Sequence, residues 1–212
     1  MTDITIIGSG NMARGIGTRA VAAGRSVQIL DRDSEKAAAL ASELGSTATS
    51  GVLGSAIDGD IVVLALPYDA AKEVAVAQSA ALAGKTVIDI TNPVDFSTFD
   101  SLVVAPGTSA AEEIAALIPA SAVVKAFNTT FAGTLASGAV ANVPLDVFIA
   151  SDSADAKAAV ASFVTDAGLR PIDVGPLRRA RELEGFQFVI MTLQANPAFD
   201  TFDWNTSLNV LV

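Results

Sequence analysis

The stretch Ile4-Thr5-Ile6-Ile7-Gly8-Ser9-Gly10-Asn11-Met12-Ala13 decides the fold. Four β-branched residues in a row predict a strand. The next six match the spacing G-x-G-x-x-A, and each small residue has a physical reason. Gly8 permits a tight turn, Gly10 lets the backbone approach a pyrophosphate with no Cβ in the way, and Ala13 lets the following helix sit close to the strand. The helix N-terminus then offers free N–H groups and the positive end of its dipole to an anion. Such a match is weak by itself, and its context makes it specific. A helix from Asn11 to Ala23 ends at Gly24, a second strand runs from Ser26 to Leu30, and an acid, Asp31, stands 21 residues beyond Gly10. That is the setting of a dinucleotide-binding βαβ unit.

Asp31-Arg32-Asp33 bears on which dinucleotide is bound. A carboxylate at the end of the second strand grips the 2′-hydroxyl of NAD and repels the 2′-phosphate of NADP, whereas an arginine beside it pairs with that phosphate. The chain has both, so both cofactors stay open at this point. Asp33 is expected to cap the next helix.

The alternation continues along the chain. A helix is expected from Ser34 to Leu44 with Gly45 in its left-handed cap, and a short strand near Ser46 to Thr49. Ile61 to Leu66 is an apolar run of the kind found in a strand covered on both faces. Asp69 is expected to cap a helix to about Leu82, followed by a strand from Thr86 to Ile90. Ser109-Ala110-Ala111-Glu112 has capping-box spacing and opens a helix to about Leu117. Strands are expected at Ala122 to Ala126, Leu145 to Ala150 and Arg170 to Val174, with helices from Ser153 to Ala167 and from Pro176 to about Leu193. The fold class is therefore α/β: a doubly wound, mostly parallel Rossmann-type sheet in one domain spanning 1–212. Residues from about 176 to 212, with the sole tryptophan, Trp204, are expected to complete the cleft or a dimer contact.

Composition narrows the chemistry. The 212 residues carry 13 basic and 23 acidic side chains, a formal charge of −10. An acidic surface repels phosphate backbones, so no nucleic-acid partner is expected. Cysteine and histidine are both absent. That excludes disulfides, thiolate nucleophiles, iron–sulfur clusters, the usual zinc sites and histidine-based triads. No metal site and no catalytic acid or base is assigned, and the chemistry is expected to rest on a cofactor. No window approaches the roughly 18 uninterrupted apolar residues of a membrane span. The N-terminus lacks a basic n-region, so no secretory signal, no membrane association and a cytoplasmic location are expected.

Five blocks together resemble one family. They are Gly8 to Met12, Ala65-Leu66-Pro67-Tyr68, Asp89-Ile90-Thr91-Asn92-Pro93, Val124-Lys125-Ala126-Phe127-Asn128-Thr129 and Gly175 to Glu184. In this order they look like the F-420-dependent NADP oxidoreductases and their dinucleotide-binding relatives, which include the cytosolic domains of membrane ferric reductases. The resemblance implies NADP as cofactor, often a homodimer, and direct hydride transfer between NADP(H) and a deazaflavin such as coenzyme F-420. It implies that Gly8, Ser9, Gly10, Asn11 and Met12 contact the pyrophosphate and Arg32 the adenosine end. Leu66, Pro67 and Tyr68 would lie beside the nicotinamide ribose, with Asn92, Pro93 and Asn128 lining the nicotinamide end. Asp31 departs from the family, which usually has a small polar residue there, and keeps NAD in view. Hydride passing between stacked rings needs proximity and orientation rather than a protein acid, which suits a chain without histidine.

Other residues admit two readings each. Tyr68 is either a cofactor contact or a half-buried aromatic. Lys125 reads as a strand-end lysine reaching solvent, with a cofactor phosphate or substrate carboxylate as its alternative partner. Arg178, Arg179 and Arg181 read as surface ion pairs, Arg178 with Glu182 or Arg181 with Glu184, with an anionic ligand tail as the alternative. An imine or pyrroline-carboxylate reductase, and a non-catalytic dinucleotide sensor, are the competing functions.

Overall fold

Ile4–Ile7 forms β1 with every residue buried. Side chains of a strand alternate between the two faces of its sheet, and here both faces are covered. Ile6 packs into one hydrophobic cluster and Ile7 into the other. In this computed structural model, which describes residues 2–199 and 202–210, the same division recurs along the sheet. Ile29, Val63, Ile88 and Val124 face one layer, while Leu30, Val62, Val87 and Val123 face the other. This is why the strands read as unbroken apolar runs rather than alternating ones.

After β1 come α1 (Asn11–Ala22), β2 (Val27–Asp31), α2 (Ser34–Leu44), β3 (Ala48–Val52) and β4 (Ile61–Leu64). Next are α3 (Tyr68–Ala77), α4 (Ser79–Leu82), β5 (Thr86–Asp89), α5 (Ala110–Leu117) and β6 (Ala122–Lys125). The last part holds α6 (Ala132–Leu135), β7 (Ala139–Val140), β8 (Val143–Pro144), β9 (Asp146–Ala150), α7 (Ala154–Asp166), β10 (Arg170–Gly175) and α8 (Ala180–Ala195). Residues of α1, α2 and α7 fill one cluster, and residues of α3, α4 and α5 the other.

The main sheet has the order β10-β9-β6-β5-β4-β1-β2-β3. Strands β1 to β6 are parallel to their neighbours. Strand β9 meets β6 antiparallel, through the single pair Lys125 and Ala150, and runs parallel to β10. The expected doubly wound, mostly parallel sheet is therefore present. Its strand order reverses between β1 and β4, so the loops leaving them diverge and open a crevice at the C-terminal edge. Because β9 runs downward and ends level with the end of β6, its start at Asp146 stands above that same edge.

Local boundaries differ from the sequence expectation in instructive ways. Strand β3 covers Ala48–Val52 rather than Ser46 to Thr49, in register with Val27–Asp31. The helix expected from Asp69 begins at Tyr68 after Pro67, with Asp69 in its first turn, and breaks at Gln78, where φ is −107°. The C-terminal helix begins with a 3-10 turn, Leu177–Arg179. Ser109 caps α5 by accepting from Glu112 N at 3.2 Å, but the reciprocal half of the box is missing. The Glu112 carboxylate instead accepts from the Ser109 hydroxyl and from Arg181. Neither α6 nor the β7–β8 hairpin was expected. The hairpin turns on Ala141 and Asn142, whose φ values are 50° and 63°.

Candidate functional site

The glycine loop meets all three requirements read from its spacing. Gly8 has φ 113°, and a Cβ there would lie 2.3 Å from Ala65 O. The loop leaving β4 therefore passes too close for any side chain. Gly10 is the N-cap of α1, with open space where a Cβ would be and no side chain bonding the first-turn N–H groups. Those donors face the crevice unsatisfied, as an anion site needs. Ala13 is buried against the sheet.

On the β2 side of the loop lies a cavity of about 240 Å³, lined by Gly8, Asp31, Arg32, Leu53 and Leu66 among others. Asp31 Oδ2 accepts from the Ser9 hydroxyl at 2.7 Å, and Oδ1 accepts from Asp33 N at 3.0 Å. The acid thus braces the loop. Arg32 is exposed at the rim and has no ion-pair partner among the described residues. Asp33 caps α2, accepting from Glu35 N and Lys36 N. Those N–H groups hold its carboxyl below the usual range.

On the β5–β6 side lies a second cavity, of about 360 Å³. Asn11, Met12, Asn92, Asn128, Gln187 and Trp204 line it with several neighbours, and no lining residue is ionisable. Asn92 Nδ2 donates to Asn128 O at 2.9 Å, and Asn128 Nδ2 donates to Asn92 Oδ1 at 3.0 Å. The chain reaches this pairing through Phe127, a fully buried residue at φ 61°. A left-handed phenylalanine costs on the order of 1–3 kcal/mol, and such strain gathers at functional sites. Thr130 holds the bend, donating from N and Oγ1 to Phe127 O. Two buried acceptors, Asn128 Oδ1 and Gln187 Oε1, have no hydrogen-bond partner.

Beneath this cavity is a cluster the sequence reading did not assemble. Lys125 is fully buried, not solvent-directed, and this corrects the expectation. Its ammonium lies 2.8 Å from Asp89 Oδ2 and 2.8 Å from Glu184 Oε1, and it also donates to Thr91 O. Glu184 in turn accepts from Ala110 N and Ala111 N at the start of α5. Burial alone would push the Lys125 ammonium down, but the charges of Asp89 and Glu184 outweigh it and leave it above the ordinary value. Burial raises the Glu184 carboxyl, against the pull of Lys125. A signal was present in the sequence: Asp89 and Lys125 each end an apolar strand, and the parallel register makes them neighbours.

The remaining candidates scatter. Pro67 caps α3 and Pro93 is buried with its carbonyl accepting from Val103 N; they and Tyr68 line neither cavity. Tyr68 is buried, its hydroxyl donating to Glu113 and accepting from Lys72 Nζ at 3.1 Å. Burial, reinforced by Glu113, pushes its phenol up to about 12. Arg181 pairs with Glu112 at 2.6 Å rather than with Glu184, and Arg179 rather than Arg178 takes Glu182, at 3.1 Å; Arg178 has no ion-pair partner among the described residues.

Comparison with known proteins agrees with this geometry. Residues 3–93 match the family described as NADP oxidoreductase, coenzyme F420-dependent. The F420-dependent NADP reductase of Methanothermobacter marburgensis is 30% identical over 201 residues, 88% of this chain and 89% of that protein. The rat metalloreductase STEAP3 is 31% identical over 185 residues, 85% of this chain, but this chain spans only 35% of that protein. The crystal structure of an F420-dependent NADP reductase homologue from Arthrobacter sp. FB24 superposes with a TM-score of 0.81 at 27% identity, covering 92% of this chain and 94% of that one. A sheet with an open glycine loop at its switch point, matched to a reductase over nearly the full length of both, makes this chain a member of the coenzyme F420-dependent NADP oxidoreductase family.

Proposed function

We propose that this chain binds NADP(H) across the two cavities and transfers hydride directly to a deazaflavin or flavin-type acceptor. One observation carries the reading: the cavity on the nicotinamide side contains no ionisable side chain. Reactions that protonate a carbonyl oxygen as the hydride arrives need a donor there, whereas a deazaflavin or flavin ring that accepts the hydride takes its balancing proton from solvent.

The residues suit the cofactor. Gly8 to Met12 and the α1 N-terminus hold the pyrophosphate. Arg32, exposed and without an ion-pair partner among the described residues, takes the adenosine 2′-phosphate, while Asp31 is spent on Ser9 and Asp33 N. Asn128 Oδ1 and Gln187 Oε1 are buried acceptors in want of donors, as a carboxamide N–H₂ supplies. Leu66 packs on the adenosine side rather than beside the nicotinamide ribose in this assignment. When bound, the nicotinamide supplies or accepts the hydride. The chain's own part is to orient the ring, while the proton that completes the reduced acceptor comes from solvent.

A cytoplasmic homodimer belongs to the same reading. No helix among the described residues is long and apolar enough to cross a membrane. Phe186 and Val189 on α8 are exposed, as is Phe96.

The test mixes purified protein with NADPH and oxidised coenzyme F-420 and follows loss of the deazaflavin absorbance, with NADH in a parallel cuvette. Bleaching with NADPH well ahead of NADH is the expected result. Clear NADPH binding without bleaching would move the acceptor to flavins or ferric chelates, and absence of NADPH binding would overturn the reading.

A further inference from the structure

Residues 202–210, beyond α8, are tied back to the body of the fold. Gln194 Nε2 donates to Asp203 O at 3.2 Å, and Thr134 Oγ1 donates to Thr206 O at 3.4 Å. Asn209 Nδ2 donates to Pro144 O at 2.8 Å, and Val210 N donates to Asp146 Oδ2 at 2.7 Å. Asp146 is buried, and Arg170 grips it with two guanidinium nitrogens while also donating to Val210 O. Gly133 lets the tail come close: a Cβ there would lie 2.6 Å from Asn205 Oδ1. Residues 202–210 are thus a strap pinned at α8, at α6 and at the starts of β9 and β10.

The strap sets Trp204 into the wall of the nicotinamide-side cavity. Its ring meets Phe131 edge-on, with centroids 6.4 Å apart and planes at 65°. Trp204 is 51% exposed although the strap is anchored on both sides of it. A large aromatic held in place at low entropy cost is a stacking surface for a planar ring.

We propose that Trp204 is a specificity-determining residue for the hydride acceptor, and that the Asp146–Arg170 clasp is what positions it. The proposal rests on the reading that the neighbouring cavity receives the nicotinamide. Phe131 and Trp204 would then form an aromatic corner against which a planar, tricyclic acceptor lies. Arg170 does not touch the acceptor and acts only through the strap.

Trp204 is the only tryptophan, so its emission reports the site directly. Oxidised coenzyme F-420 and riboflavin are titrated separately into protein saturated with NADP, with correction for inner-filter absorption. At least one is expected to quench Trp204 saturably. Ultrafiltration then measures binding of the quenching probe to variants under the same conditions. Trp204→Ala is expected to weaken it about tenfold and Trp204→Phe to restore most of the loss, in line with the worth of one stacked ring. Arg170→Ala is expected to weaken it similarly, and the double variant no further, since both act through one contact. NADPH affinity by calorimetry is expected to fall less than that of the quenching probe in every variant, and an equal or larger fall for NADPH would overturn the assignment to the acceptor. No saturable quenching by either probe, unaltered binding in Trp204→Ala, or additive losses in the double variant would each overturn the proposal. Failure of the unmodified protein to bind NADPH would instead bring down the reading beneath it.

Discussion

Lys125 Nζ lies 2.8 Å from Glu184 Oε1, tying the end of β6 to the second turn of α8 with neither side chain exposed to solvent. With Asp89 on the other side, the ammonium is the only cation among two buried carboxylates. Removing one partner of a buried ion pair leaves charge uncompensated, at a cost of about 3–5 kcal/mol. Lys125→Met is therefore expected to lower the unfolding free energy by that amount in urea titrations. A loss below about 1 kcal/mol would show that the cluster does not brace α8 against the sheet.

Two glycines three positions from Asn11 or nearer separate binding from folding. Gly10 has nothing within 4 Å of where a Cβ would stand, whereas Gly8 has Ala65 O at 2.3 Å and a φ of 113°. Gly10→Asp is expected to abolish dinucleotide binding with a cooperative, near-normal thermal transition. Gly8→Ala is expected to lose binding and stability together, by at least the roughly 1–3 kcal/mol of a left-handed residue. Calorimetric titration and a melting curve on each variant check the contrast, and normal binding by Gly10→Asp would refute the site assignment.

The adenosine end gives a cofactor-preference experiment. Arg32 is exposed, and Asp31 is turned to Ser9 and to Asp33 N. Arg32→Ala is expected to weaken NADPH about tenfold while leaving NADH nearly unchanged, because a lost phosphate contact acts only on the phosphorylated cofactor. Equal losses for both would mean that Arg32 serves the adenine ring instead.

Acid is expected to release the strap. Burial would raise the Asp146 carboxyl, but Arg170 and the Val210 N–H overcome this and hold it below the ordinary 3.8. A carboxyl depressed in the folded state stabilises above its unfolded value and loses that contribution as pH falls through the folded one. Trp204 emission should therefore shift as pH falls below the ordinary carboxylate range, with far-UV circular dichroism separating local release from global unfolding. In Arg170→Ala the midpoint should move to higher pH, and an unmoved midpoint would show that Arg170 does not hold the carboxyl down.

What the sequence discloses depends on how far apart the interacting residues lie. The glycine loop, the strand alternation and the Asp33 cap are local, and their geometry follows from spacing. The buried cluster is not local: Lys125 meets Glu184 across 59 residues, so a lone lysine at a strand end reads as solvated until the register of β5 and β6 is known. Asp31 is a similar case, legible as an acid in the right place but not as a brace for Ser9. The β7–β8 hairpin hid because Ala141 and Asn142, not glycines, take its positive φ angles. The helix break at Gln78 lacks a proline or glycine to announce it. Trp204 is visible as a singular residue, but it meets Phe131 across a long stretch of chain that no local pattern encodes.

The downward course of β9 divides the cleft into two parts with separate foundations. The parallel strands β1 to β5, within the span that matches the family model, carry the glycine loop and the Arg32 rim. Beyond Phe131, the reversed pair β9–β10 and the strap raise the opposite wall; β9 shares one ladder pair with β6, Lys125 and Ala150, beside which Ser151 Oγ donates to Val123 O. Changes in residues 202–210 would thus alter the wall at Trp204 and leave the register of the parallel strands as it stands.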